Sequence, residues 1–279
     1  MASTAFDVRS EEGLSRMIDA ALGGDAEALH RMAVLAGCGA GIPLNWPAAF
    51  EALRRAAARG HSLAKAELAL LSRFDPAALL AAAPAHALRE SPRIRACPAF
   101  LDAALCDWIV ERARPRMEQA RTYDARLVDG LVSDARTNTF TDFDIMATDV
   151  VLALVRARVA ATVGVDSRGF EHTAVLHYAP GERFAPHYDY LDPGMPAFAA
   201  NIAEQGQRVA TFLVYLNDDF EDGETAFPQL GFSHRGAKGD ALFFFNVDAT
   251  GAPDTRTLHE GRAPAAGEKW LLSQFIRSR

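Results

Sequence analysis

The chain changes texture near residue 90, and that change limits what it can fold into. Upstream, the sequence is rich in alanine and its apolar residues recur every three or four positions, the period of a helix with one buried face. Downstream, after about residue 120, it breaks into short runs dense in β-branched and aromatic residues: 209–216, 241–247 and 270–276. Asn217-Asp218-Asp219, Asp222-Gly223 and Lys238-Gly239-Asp240 read as turns around them. Between the two textures, Pro76, Pro84 and Pro92 mark a short helix plus linker, and Leu105, Trp108, Ile109 and Ala113 share one face of a further helix. The expectation is an α+β chain with a helical segment at 1–90 and a second domain at 91–279. Several short strands between turns predict a β-sandwich, jelly-roll or barrel for that domain.

The helical segment carries a faint repeat. Residues 24–35 align with residues 60–71 at an offset of 36, and Trp46 to Arg59 reads as an intervening helix with Pro47 in its first turn. A period in the mid-thirties indicates stacked helix pairs. Ala28, Ala33, Gly39, Gly41, Ala49, Ala56, Ala57, Gly60, Ala64 and Ala69 give residues 24–73 a resemblance to the Sel-type, tetratricopeptide-like repeat. About one and a half repeats are present, fewer than a free-standing solenoid needs. The segment reads equally as a small protein-interaction module and as a helical cap on the catalytic domain.

Bulk properties exclude several classes. The net charge is −7 and there is no long basic run, which argues against a nucleic-acid or anionic-membrane partner. Three cysteines, Cys38, Cys97 and Cys106, form an odd, sparse set that suits a reducing compartment. The first twenty residues carry Asp7, Glu11, Glu12 and Asp19 and do not read as a secretory signal. No 18-residue apolar run occurs, so no membrane span is expected, and the expected location is cytoplasmic.

The chemistry is concentrated in four residues. His187 and Asp189 are two apart, so on a strand they face the same side. His259 follows in Leu258-His259-Glu260-Gly261, and Lys269 ten residues later. Two histidines and one carboxylate make a facial triad that leaves coordination positions open, a pattern diagnostic of non-haem Fe(II) oxygenases. Lys269 is then the candidate cation for the far carboxylate of a dicarboxylate co-substrate, since a buried anion needs a counter-charge. Tyr178 and Thr211 are candidate hydroxyl donors to the same carboxylate. His172 and His177 lie on opposite faces of one strand, with His177 able to neighbour the site without ligating, and His234 reads as solvent-facing. Phe243, Phe244 and Phe245 are candidates for a dry wall around the metal.

From about residue 94 onward the sequence resembles the prolyl 4-hydroxylase family of Fe(II)/2-oxoglutarate dioxygenases. The likeness rests on Arg136-Thr137-Asn138, Tyr178-x-Pro180-Gly181 and His187-Tyr188-Asp189. It continues through Arg208-x-Ala210-Thr211, Gly223-Glu224-Thr225-x-Phe227-Pro228, Leu258-His259-x-Gly261 and Lys269-Trp270, all in family order. The resemblance implies a double-stranded β-helix, or jelly-roll, flanked by helices. It implies iron on His187, Asp189 and His259, and 2-oxoglutarate on Lys269 with Tyr178 and Thr211. It places Arg136, Thr137 and Asn138 in a mobile substrate-covering loop. The implied cofactors are Fe(II), 2-oxoglutarate and O₂, with ascorbate as a candidate accessory. The implied reaction hydroxylates a C–H bond of a peptidyl proline and releases succinate and CO₂. One departure is Asp222 before Gly223-Glu224-Thr225, where the family commonly shows two glycines. The competing readings are a hydroxylase of a free amino acid or other small molecule, and an inactive scaffold recruiting a protein through the helical segment.

Overall fold

The structure, a computed structural model, describes residues 6–121 and 133–279. The first elements are α1 (Glu11–Leu22), α2 (Ala26–Cys38), α3 (Trp46–Ala58), α4 (Ser62–Leu71), α5 (Pro76–Leu80), β1 (His86–Arg89) and β2 (Ile94–Cys97). Next come α6 (Ala103–Ala113), β3 (Glu118–Gln119), β4 (Thr139–Phe143), α7 (Val150–Val163), β5 (Thr173–Tyr178), β6 (Phe184–His187) and α8 (Pro196–Gln205). The remainder are β7 (Arg208–Tyr215), β8 (Glu221–Asp222), β9 (Thr225–Phe227), β10 (Phe232–His234), β11 (Ala241–Phe245), β12 (His259–Gly261), β13 (Pro264–Ala266) and β14 (Lys269–Arg277).

Two compact units emerge, and they do not divide at residue 90. The described residues up to Ala82 group with Phe143–Arg168, whereas those of Ala83–Asp142 group with Gly169–Arg279. The helix α7, from the middle of the expected second domain, thus belongs to the helical unit. Its sequence is apolar on nearly every side, so it has no amphipathic stripe, and its valines imitate a strand. Its ends are nonetheless marked. Asp149 caps Leu152 N, and Gly164 closes the helix in the left-handed region.

In the helical unit the offset of 36 has a structural counterpart. Gly24 and Gly60 both take positive φ, and the residues after them, Asp25 and His61, cap α2 and α4. A buried polar network ties these helices to α7. His30 Nε2 lies 2.6 Å from Glu67 Oε2, and Glu67 Oε1 accepts from Val150 N. Arg31 donates to Met146 O at 2.8 Å and, at 3.3 Å, to His30 Nδ1. With Nδ1 accepting, the His30 proton sits on Nε2 and points at Glu67. Burial, the Arg31 charge and His61 together pull the His30 pKa down to about 3.

The second unit is built on two main β-sheets, with β13 and β8 paired as a small third one. Among the described residues, eight strands form one sheet in the order β1-β2-β11-β7-β14-β5-β4-β3, and β10-β9-β12-β6 form another. Away from the sheet edges, neighbours in space are strands distant in sequence, as in β2-β11-β7-β14-β5 and β9-β12-β6, which a jelly-roll requires. The core lies between the sheets, with Leu176, Tyr178, Leu213, Leu242, Phe244 and Leu271 meeting Phe227 from β9. Phe227 and Phe244 meet edge to face at 5.1 Å. Burying each such ring contributes about 1.5–3 kcal/mol. Alternation along β11 puts Phe244 in this core. Phe243 and Phe245 face the other way, against Phe212 and under Arg93, so only one of the three phenylalanines serves the site.

Candidate metal centre and co-substrate pocket

The smaller sheet brings the two histidines together. In the antiparallel pair of β12 and β6, His259 lies opposite His187. His187 closes β6, and Asp189 falls in a bend two residues on rather than in the strand itself. Ligand atoms of His187, Asp189 and His259 all lie within 4.8 Å of one another. Asp189 Oδ1 is 3.4 Å from His187 Nε2, and Oδ2 is 3.3 Å from His259 Nε2. Each imidazole donates its Nδ1–H to a backbone carbonyl two residues back, Ala185 at 2.8 Å and Thr257 at 3.0 Å. Both rings therefore present Nε2 to the common centre, the arrangement a metal ion selects. Phe184 stacks on His187 at 3.5 Å, and Phe244 meets His259 edge-on at 4.8 Å.

Charge is concentrated at this point. Burial opposes ionisation of Asp189, but the two imidazoles hold its carboxyl well below the ordinary range. Burial and the neighbouring His259 lower His187, while for His259 the Asp189 charge overcomes burial and raises it. One anion flanked by two nitrogen donors fits a divalent cation.

The triad opens into a cavity of about 430 Å³, and Lys269 and Tyr178 line it too. Lys269 is fully buried. Its Nζ donates to Gly223 O at 2.7 Å and lies 4.9 Å from the centre of the Tyr178 ring. Burial pulls its pKa down to about 7, with Glu224 working against the shift. Tyr178 is pushed up to about 12 by burial, so its hydroxyl stays a donor. A buried ammonium beside a phenol, facing a cavity, fits the far carboxylate of a bound diacid. The turn that supplies Gly223 O is tight: Asp222 has φ 59° and Gly223 φ 70°. Aspartate tolerates the left-handed region better than most residues, so it can stand where a glycine is commonly found.

Other expected residues fall differently. Thr211 does not line the cavity, because its hydroxyl is spent on Asp189 Oδ2 at 2.7 Å rather than left for a co-substrate. Arg136 does line it, with its guanidinium 4.5 Å from the Phe184 ring centre. Thr137 and Asn138 do not, and neither lies in a free loop. Thr137 is bonded to Arg183 through backbone and hydroxyl, and buried Asn138 accepts from Arg136 Nε at 3.2 Å. Residues 122–132, just before them, lie outside the described residues. His177 does not line the cavity and meets the Trp270 ring at 4.4 Å, tilted by 41°, and His172 pairs with Asp142 at the surface. His234 is half-buried in β10 against Tyr215, not solvent-facing as its polar neighbours suggest. The sequence reading missed Arg121, Tyr190 and Phe198, which also line the cavity. Of these only Tyr190 carried a signal, its adjacency to Asp189.

A two-sheet jelly-roll with this triad and a buried lysine defines the class of iron- and 2-oxoglutarate-dependent oxygenases. Residues 173–277 match the 2OG-Fe(II) oxygenase superfamily. Prolyl 4-hydroxylase 1 of Arabidopsis thaliana is 32% identical over 207 residues, covering 68% of this chain and 70% of that protein. Prolyl 4-hydroxylase 2 of the same plant is 26% identical over 223 residues, covering 72% and 73%. Among solved structures, the 2OG complex of the viral collagen prolyl hydroxylase vCPH from Paramecium Bursaria Chlorella virus-1 matches with a TM-score of 0.51 and 26% identity. It covers 67% of this chain and 96% of that one. The chain belongs to the prolyl 4-hydroxylase family of the 2OG-Fe(II) oxygenases. It is a 2-oxoglutarate-dependent dioxygenase, and its cofactors are Fe(II), 2-oxoglutarate and O₂.

Proposed function

We propose that the chain hydroxylates proline within a peptide or protein. The observation that carries its dioxygenase chemistry is Lys269: a fully buried side chain, in the same cavity as the triad, with a backbone carbonyl as its hydrogen-bond acceptor. His187, Asp189 and His259 would hold the iron. Lys269 and Tyr178 would hold the far carboxylate of 2-oxoglutarate. The bound iron and 2-oxoglutarate would supply the oxidising power, with succinate and CO₂ as co-products. The protein's own residues orient and shield. Phe184 and Phe244 exclude water from the two imidazoles, and the protonated Tyr178 donates without adding a negative charge. Proline as the substrate is supported by the relative at 32% identity.

A second reading, a free amino acid as substrate, is favoured by Arg136, a cation on the cavity wall that suits a carboxylate. For the helical unit, the repeat offset supports a protein-binding role in recruiting the substrate.

The test is succinate formation by the anaerobically purified chain given Fe(II), 2-oxoglutarate and O₂, with proline-rich peptides or free amino acids, beside His187→Ala. Peptide-stimulated succinate and the mass gain of one oxygen on proline are expected, both lost in His187→Ala. Stimulation by free proline alone would replace the first reading with the second. No succinate under any condition would overturn both. Running the assay with and without ascorbate shows whether it is needed.

A further inference from the structure

Asp189 is not held by the imidazoles alone. Its Oδ2 accepts a hydrogen bond from Thr211 Oγ1 at 2.7 Å, and that hydroxyl accepts one from Asn246 Nδ2 at 3.0 Å. The three side chains are buried, with Asp189 4%, Thr211 1% and Asn246 0% exposed. They arrive from three places: the bend after β6, the middle of β7, and the residue following β11. Register brings the last two together. Thr211 pairs with Phe244, and Asn246 N donates to Val209 O at 2.9 Å as β11 runs out.

The direction of this chain of bonds follows from the groups themselves. A hydroxyl has a single proton, and an amide NH₂ can only donate. Asn246 therefore occupies a lone pair of Thr211 Oγ1 and leaves its proton to Asp189. The other end of the Asn246 amide, Oδ1, is buried without a protein partner. An amide turned the other way would compete with Asp189 for the threonine proton. The observed orientation leaves that proton on Oδ2, and Oδ1 takes no part in the bond.

We propose that Thr211 and Asn246 are positioning residues for the metal: they fix the orientation of the Asp189 carboxylate and keep Oδ1 free to ligate. This rests on the triad being the metal centre. Residues that orient ligands in this way typically account for about 10–100-fold in metal affinity.

Anaerobic titration of the metal-free full chain with Fe(II), and with Co(II) as a coloured probe, tests the proposal. Thr211→Val keeps the shape and removes the hydroxyl, whereas Thr211→Ser keeps the hydroxyl. The expected result is a loss of about 10–100-fold in affinity and an altered Co(II) visible spectrum for Thr211→Val, with Thr211→Ser within about threefold of the parent. Asn246→Ala is expected to lose affinity in the same direction. A purely structural role would lower the melting temperature of the metal-free variants and leave metal affinity unmoved, and that outcome overturns the proposal. Should Thr211→Val fail to fold, parental affinity in folded Asn246→Ala overturns it equally. If the parent chain binds neither metal, the metal-centre reading itself falls. If the parent binds and Thr211→Val binds as well, only the positioning role falls.

Discussion

Tyr178 and Lys269 are directly opposed partners in the antiparallel pair of β5 and β14. One register therefore places a phenol and an ammonium together at the floor of the cavity. A slip of β14 by one residue would turn Lys269 out of it and bring Trp270 in. Replacement of Lys269 by methionine, which keeps the length and removes the charge, should raise the KM for 2-oxoglutarate by more than about 100-fold and leave Fe(II) affinity within a few-fold. Steady-state kinetics beside metal titration separates the two.

The same lysine makes co-substrate binding depend on pH. In the empty pocket its pKa is about 7, against an ordinary 10.5. Between those values the unfolded chain carries a proton that the folded chain lacks, so this group's contribution to stability rises as pH increases across the window. Ligand binding has the opposite sign, because the carboxylate needs the charged form. Affinity for 2-oxoglutarate should fall by up to about tenfold per pH unit above about pH 7, and titration calorimetry should show proton uptake there. A flat profile would show that Lys269 is already protonated in the empty pocket across this range.

Gly261 stands beside this pair for a steric reason. A Cβ there would come within 3.0 Å of Tyr178 Oη. Gly261→Ala should displace the phenol and raise the KM for 2-oxoglutarate by about tenfold, corresponding to about 1.4 kcal/mol. Fe(II) affinity is expected to be little changed. An unchanged KM would show that the Tyr178 hydroxyl does not touch the co-substrate.

The helical unit should be acid-labile. His30 titrates at about 3, below its ordinary 6.5, with Arg31, His61, Glu27, Glu67 and Asp149 around it. At pH above about 6.5 both folded and unfolded chains leave it neutral. Below that the unfolded chain takes up a proton that the folded one refuses, so stability falls by up to about 1.4 kcal/mol per pH unit towards pH 3. Urea denaturation across this range should show the slope, and His30→Gln should flatten it.

What the sequence disclosed followed local rules. His187, Asp189, His259 and Lys269 were legible as motifs in family order, although Asp189 lies in a bend and the strand period did not place it, and the strands at β7, β11 and β14 were legible because their composition is unambiguous. The helix α7 was hidden by an all-round apolar pattern, although Asp149 and Gly164 marked its ends. The bonds of Thr211 to Asp189 and Asn246 were not legible, because those partners follow the ends of β6 and β11 and only the tertiary fold brings them to β7. Arg121 and Phe198 reach the cavity through tertiary folding and left no periodic trace.

The return of Phe143–Arg168 to the helical unit has a practical corollary. The chain passes between the two units three times, so no single cut separates them. A chain shortened to begin at residue 91 would keep α7 but lose α2, α4 and α5, the helices it packs against. Val151, Leu154 and Val155 are at most 3% exposed in the intact fold. Parts of their apolar surface would then meet water, and aggregation is the expected result. The helical segment is therefore not a cassette that can be exchanged between oxygenases, because one of its own helices is written inside the oxygenase sequence.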